Sequence, residues 1–181
     1  MHESVQCRLE NRRSPQEISI GAVIREDAMK ILVARIPEEG MDYEGTDPGT
    51  ILELENDPFI KDAGDVDYRL HAERVSGELV VRGTLSAELE MRCARCAEFF
   101  STTVPVSDFL RACPVPEGAD SVDLSEDMRE DILLHVPAVA VCSEDCKGVC
   151  PQCGINLNKG TCECREDDGP GPWSALDELN L

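Results

Sequence analysis

Residues 78–96 read Glu-Leu-Val-Val-Arg-Gly-Thr-Leu-Ser-Ala-Glu-Leu-Glu-Met-Arg-Cys-Ala-Arg-Cys. Leu79, Val81, Leu85, Leu89 and Met91 fall on one side of an extended chain. Glu78, Arg82, Thr84, Glu88, Glu90 and Arg92 fall on the other. Period two over this length predicts a half-buried strand. Ser76-Gly77 before it reads as a hairpin turn that joins an earlier strand over 67–75. Cys93-Ala-Arg-Cys96 ends the strand, and 99–110 opens the next, with Pro105 marking an edge or a bulge. The region 66–112 is thus an antiparallel meander with a cysteine pair at one hairpin tip.

Working outward, a short strand is expected over 30–36, stopped by Pro37 and Gly40. Residues 38–67 are acid-rich, with Lys61 opposing, and read as a solvated loop around a short strand at 51–54. Pro114, Pro116 and Gly118 mark a turn-rich connection. A helix over 124–135 follows, with Asp123 and Glu126 as its capping box. Leu124, Met128, Ile132 and His135 recur at helical spacing, and Pro137 stops the helix. Residues 1–28 read as an N-terminal extension, disordered or the product of an upstream start codon, with an integrated helix or strand as the alternative. Residues 29–141 form the β-rich domain, and 142–181 a cysteine-rich zinc-binding tail with a short terminal helix carrying Trp173, Leu176 and Leu179. The fold class is α+β: an antiparallel β meander or partial barrel with one or two helices and a zinc-knuckle C-terminal segment.

The tail carries Cys142, Cys146, Cys150, Cys153, Cys162 and Cys164, to which the hairpin adds Cys93 and Cys96. Zinc accepts four thiolates in a tetrahedron at about 2.3 Å, and each short pair supplies two with little chain strain. Cys150-Pro-Gln-Cys153-Gly is the most specific of these pairs. Pro fixes a backbone dihedral, Gly permits a left-handed turn, and backbone amides then face the sulfurs. Arg95, Lys147 and Lys159 lie beside the thiols and can offset their charge. One partition joins Cys150, Cys153, Cys162 and Cys164 locally, while Cys93, Cys96, Cys142 and Cys146 bridge hairpin and tail. The rival is a single site of Cys146, Cys150, Cys153 and one of Cys162 or Cys164. The cofactor is therefore one or two structural zinc ions, with rubredoxin-like iron as the competing metal. Cys7 and Cys113 have no spaced partners and read as small buried apolar residues.

The 181-residue chain has a formal net charge of −20, which repels bare nucleic acid unless basic residues gather on one face, and suits a basic partner. Such a patch has candidates in Arg69, Arg74, Arg82, Arg92, Arg95 and Lys147 around the hairpin. The first twenty residues lack the apolar core of a signal peptide, and the apolar run 132–142 is too short to span a bilayer. A cytoplasmic setting follows, where paired cysteines favour metal over disulfides. His2, His71 and His135 are scattered, with no nucleophile motif and no glycine-rich phosphate loop. No enzyme is expected, no small-molecule substrate is evident, and no membrane is involved. A redox thiol needs a helix N-terminus, whereas Cys93 and Cys96 lie between strands.

The run Cys142-x3-Cys146-Lys-Gly-Val-Cys150-Pro-x-Cys153-Gly-x-Asn156-Leu-Asn158, then Cys162-x-Cys164, resembles the YceD family, the large ribosomal RNA subunit accumulation proteins. Cys93-x-Arg95-Cys96, Met29-Lys-Ile31 and Ile36-Pro-Glu-Glu-Gly40 share the likeness, which runs from about Met29 to the C-terminus. Two departures are Val149 in place of the usual Leu, and Asp168-Gly-Pro-Gly-Pro-Trp173 where the family has Asp-Pro-Arg. The resemblance implies a role in making or preserving 23S ribosomal RNA. The partner would be a large-subunit precursor, engaged through the 23S rRNA or through a basic ribosomal protein. Some relatives lack the tail cysteines, which implies a structural metal. The alternatives are a zinc-ribbon adaptor for a basic protein outside the ribosome, and a thiol redox protein.

Overall fold

The computed structural model describes residues 8–10, 29–116 and 118–164. Four strands form a meander in the order β3 (Met41–Asp47), β4 (Ile60–Val75), β5 (Glu78–Arg92) and β6 (Phe99–Pro114), all antiparallel. A small three-stranded sheet has β7 (Ser121–Asp123) at its centre, flanked by β1 (Arg8–Glu10) and β2 (Lys30–Leu32). One α-helix, α1 (Ser125–His135), completes the α+β fold among the described residues. None of their helices is long and apolar enough to cross a membrane.

The predicted alternation of β5 is realised. Leu79, Val81, Leu85, Leu89 and Met91 are buried, joined by Ala87. They share one core with Val66 and Leu70 of β4, Val104, Val106 and Phe109 of β6, and Leu124, Met128 and Ile132 at α1. Ser76 and Gly77 both have positive φ, 51° and 88°, the signature of the two-residue turn whose twist matches a hairpin. Pro105 sits on β6, at the sheet edge, where a residue without an N–H is tolerated. Gly83 permits an unusually close strand approach: a Cβ there would stand 2.0 Å from the Arg69 carbonyl oxygen. The bulge between Gly83 and Leu85 bends the sheet at the same point.

Several local expectations are corrected. The strand at 30–36 ends at Leu32, because β7 offers only three residues to pair with; the chain then coils into a 3₁₀ turn, Val33–Arg35. That turn buries Ile31, Val33 and Ile36 while Leu32 faces outward. The acid-rich stretch is not a loop at 41–47 but the edge strand β3. Its acids meet bases across the ladder, Glu44 with Arg69 at 3.0 Å and Asp42 with His71 at 2.6 Å, so no apolar alternation is needed. Residues 51–54 form no strand. Ile51 and Leu52 are buried within a 3₁₀ turn, Gly49–Leu52, and the Leu52 carbonyl accepts from Arg129 Nε at 3.0 Å.

The helix begins one residue late and without its capping box. Asp123 instead accepts the Ser125 N–H at 3.0 Å while remaining paired in β7. His135 is exposed at the helix end, its Nδ1 on the Asp131 carbonyl at 2.8 Å. Cys113 is fully buried opposite Leu79, as an apolar residue would be, but it is disulfide-bonded. Cys7 and the terminal helix with Trp173 lie outside the described residues, as does most of the N-terminal extension, of which Arg8–Glu10 pairs with β7.

An ion cluster fixes α1 to β6. Arg111 meets Asp127 at 3.0 Å and Asp131 at 2.8 Å, and Asp127 is buried. Burial pushes the Asp127 carboxyl up and Arg111 offsets part of that rise. Burial also works against the Arg111 charge, but its bonds to Asp131 and Asp127 prevail and raise it, so the guanidinium stays charged between the two carboxyl groups.

Candidate metal centres

The β5–β6 connection curls at Cys93–Cys96 because its ends are already paired, Arg92 with Phe99. The Cys93 N–H donates to the Glu98 carbonyl (2.8 Å) and the Ala97 N–H to the Cys93 carbonyl (2.9 Å), with Ala97 at φ 61°. The returning chain docks there: the Ala94 N–H donates to the Ala140 carbonyl at 2.8 Å. Cys142 and Cys146 arrive on the next turn. The Sγ atoms of Cys93, Cys96, Cys142 and Cys146 then lie within 4.8 Å of one another. Cys93 to Cys146 and Cys96 to Cys142 are each 3.8 Å. That separation is far beyond an S–S bond, yet matches the edge of about 3.8 Å of a tetrahedron with 2.3 Å metal–sulfur arms.

The second group comprises Cys150, Cys153, Cys162 and Cys164, again within 4.8 Å. The Cys150 N–H donates to the Ile155 carbonyl (2.9 Å) and the Gly154 N–H to the Cys150 carbonyl (2.8 Å), with Gly154 at φ 73°. The chain thus divides its eight spaced cysteines into one group bridging hairpin and tail and one group local to the tail. Neither group includes a histidine or a carboxylate. Cys93, Cys96 and Cys146 are buried; in the second group only Cys150 is.

Burial pushes the Cys93 thiol up, but the backbone amides of Cys96, Cys142 and Arg95 outweigh it and bring it to about 6. Cys142, bonded to its neighbour Cys146, is pushed up to about 12. The pattern repeats in the second group. Backbone amides of Cys153 and Gln152 bring Cys150 to about 6, and Cys164 beside Cys153 rises to about 12. Each group therefore stabilises some thiolates and resists others, since like charges a few ångströms apart repel. A divalent cation at the centre removes that conflict, and both donor sets fit one.

Arg95 does not face the sulfurs with its charge. Its Nη1 donates to the carbonyls of Glu144 (2.9 Å) and Cys146 (3.3 Å), clamping the returning loop. Lys159 pairs with Glu98 at 2.7 Å, and Lys147 contributes its backbone N–H to Asn158 Oδ1 at 2.8 Å. Gly148, at φ 74°, lets the chain pass the Arg95 carbonyl, which accepts the Val149 N–H at 3.1 Å. Two contributors escaped the sequence reading of the site. Glu98 also accepts from Asn156 Nδ2 (3.3 Å), and Asn158 Nδ2 donates to Cys146 Sγ (3.3 Å). Both asparagines lie in the tail motif, but spacing alone carries no sign of their bonds.

Three arginines of the candidate basic patch are engaged by acceptors of the protein itself. Arg69 pairs with Glu44, Arg82 with Glu73 at 3.6 Å, and Arg92 Nε donates to the Ala97 carbonyl at 3.3 Å.

The family model for large ribosomal RNA subunit accumulation protein YceD matches residues 110–180. The chloroplastic large ribosomal RNA subunit accumulation protein YCED homolog 1 of Arabidopsis thaliana is 38% identical over 66 residues, covering 35% of this chain and 21% of that protein. The protein of the same name from Zea mays is 39% identical over 64 residues, covering 34% and 22%. An uncharacterised protein of Mycobacterium tuberculosis is 29% identical over 129 residues, covering 63% of this chain and 61% of that one. The chain thus spans less than two thirds of the length of these relatives. No solved structure matches it with significance. The matched segment holds the whole second thiol group and half of the first, and over that segment the chain is similar to the YceD family.

Proposed function

We propose that this chain is a non-enzymatic factor of ribosome biogenesis that supports accumulation of 23S rRNA and assembly of the large subunit. The observation that carries the reading is the family match, together with plant relatives named for large ribosomal RNA subunit accumulation. Two zinc ions serve it structurally, one held by Cys93, Cys96, Cys142 and Cys146, the other by Cys150, Cys153, Cys162 and Cys164. All-sulfur tetrahedral sets favour zinc among the abundant divalent metals, and four protein ligands leave no open position for a substrate. Bound zinc would supply charge neutralisation and a cross-link between hairpin and tail.

Charge favours one mode of contact. With a net charge of −20 and the hairpin arginines engaged by carboxylates and carbonyls, a basic ribosomal protein is a better match than bare 23S rRNA. The setting is the bacterial or organellar ribosome-assembling compartment, the cytoplasm in a bacterium. The test is the ratio of 23S to 16S rRNA after removal of the gene, with recovery of large-subunit precursors on the tagged protein. A normal ratio and no such precursors would defeat the reading in favour of an adaptor outside the ribosome. Native mass spectrometry tests the metal, with two zinc ions per chain expected.

A further inference from the structure

Asn158 links two thiol groups that share no cysteine. It lies between Cys153 and Cys162, so closure of the second group fixes the loop that carries it. Its side chain reaches into the first group. Oδ1 accepts the Lys147 N–H at 2.8 Å. A backbone N–H can only donate, so this bond decides which end of the amide faces which way. Nδ2 is left to donate to Cys146 Sγ at 3.3 Å and to Asn156 Oδ1 at 3.0 Å. Asn156 is oriented in turn by the Asn158 N–H at 2.9 Å and by Glu98, which also holds Lys159. The loop of the second group is thereby braced on the hairpin and delivers one N–H to a sulfur of the first.

A donor aimed at a metal-bound thiolate draws off charge and stabilises an anionic four-sulfur centre; outer partners of this kind change metal affinity about 10–100-fold. Without metal in the second group, ordering the loop costs conformational entropy that the first group must offset alone. We infer that Asn158 makes the two centres cooperative: a divalent metal held by Cys150, Cys153, Cys162 and Cys164 raises the affinity of Cys93, Cys96, Cys142 and Cys146 for its own. Linkage makes the effect reciprocal. The inference rests on reading both thiol groups as metal centres.

The experiment measures zinc affinity by competition with a chromophoric chelator. It uses the full chain, Asn158→Ala, the double variant Cys162→Ser/Cys164→Ser, and the triple combination. Cobalt(II) charge-transfer spectra count the all-thiolate sites. The expected result is a fall of about tenfold in affinity at the first centre for Asn158→Ala and for the double variant. The triple variant should fall no further than the double. Asn158→Asp keeps the acceptor for Lys147 but removes the donor to sulfur, so it should lose at least as much as Asn158→Ala and guards against a misfolded double variant. Unchanged affinity, or losses that simply add, would overturn the coupling and leave two independent metal centres standing. A wild-type chain that binds no metal would overturn both.

Discussion

The β-sheet body and the cysteine tail are held by different physics. The body buries a continuous aliphatic core that runs through the four-stranded sheet, the turns at 33–36 and 49–52, and α1. The tail contributes to a separate, small cluster in which, among the described residues, Cys93, Cys96 and Cys146 are packed by Phe100 and Val141. Apolar burial of that size yields far too little to order a segment of more than twenty residues, since each ordered backbone residue costs about 1–2 kcal/mol. Hydrogen bonds at Arg95, Gly148 and Glu98 set the geometry but contribute modestly. A cross-link would supply what these contacts lack, and both thiol groups could hold a metal ion that makes one.

The sharpest way to break this contrast is to remove the cross-link. Cys93→Ser/Cys96→Ser should release one metal and free the tail. Limited proteolysis should then cut within 141–164 while the sheet keeps its far-UV circular dichroism. A strong chelator should do the same to the wild type, with loss of both metals. If the sheet melts along with the tail, the two regions are one cooperative unit and the contrast is wrong. Cys162→Ser/Cys164→Ser should release the other metal, with cleavage confined to the distal loop.

The reverse test strikes the body and spares the metal. Arg111→Met leaves Asp127 and Asp131 facing each other without a cation, one of them buried. The expected loss is about 3 kcal/mol of unfolding free energy at neutral pH, read by urea denaturation, with metal content unchanged. Loss of metal in this variant would tie α1 to the tail more closely than the contacts suggest.

The same division governs what the sequence could reveal. β5 was legible because its inner residues alternate, and burial enforces the alternation. β3 was not, because an edge strand needs main-chain bonds on one side only, and its cross-strand partners Arg69 and His71 lie far along the chain. The thiols were legible as ligand types from their short spacings, but their grouping was not. Cys162 and Cys164 are an unusual pair on one metal, and only the folded hairpin carries Cys93 and Cys96 to Cys142 and Cys146. The hydrogen bonds of Glu98 and Asn158 follow no period at all.

A smaller effect should follow at Gly148. Its φ of 74° costs a side-chain-bearing residue about 1–2 kcal/mol, and a Cβ would stand 3.1 Å from the Arg95 carbonyl. Gly148→Ala should speed proteolysis of the tail and metal loss to a chelator while leaving the urea midpoint of the sheet unmoved. A shifted midpoint with unchanged metal exchange would place the strain in the body instead.

The smallest expected effect is a matter of pH. The Lys159 ammonium, then Asn156, hold the Glu98 carboxyl below its ordinary range. A carboxyl lowered by folding stabilises the folded state above its unfolded value, and that stabilisation disappears as pH falls through the lowered one. Glu98 braces the distal loop on the hairpin, so the tail should loosen in that acid window. Thiolate protonation also releases metal in acid, which makes the wild-type profile alone ambiguous. The difference between wild type and Glu98→Gln separates the two: Gln keeps the acceptor for Asn156 but loses the charge facing Lys159. Tail proteolysis should be slightly faster in Glu98→Gln at neutral pH, and the two curves should converge below the glutamate range. A gap that persists at low pH would mean that Glu98 acts through shape rather than charge.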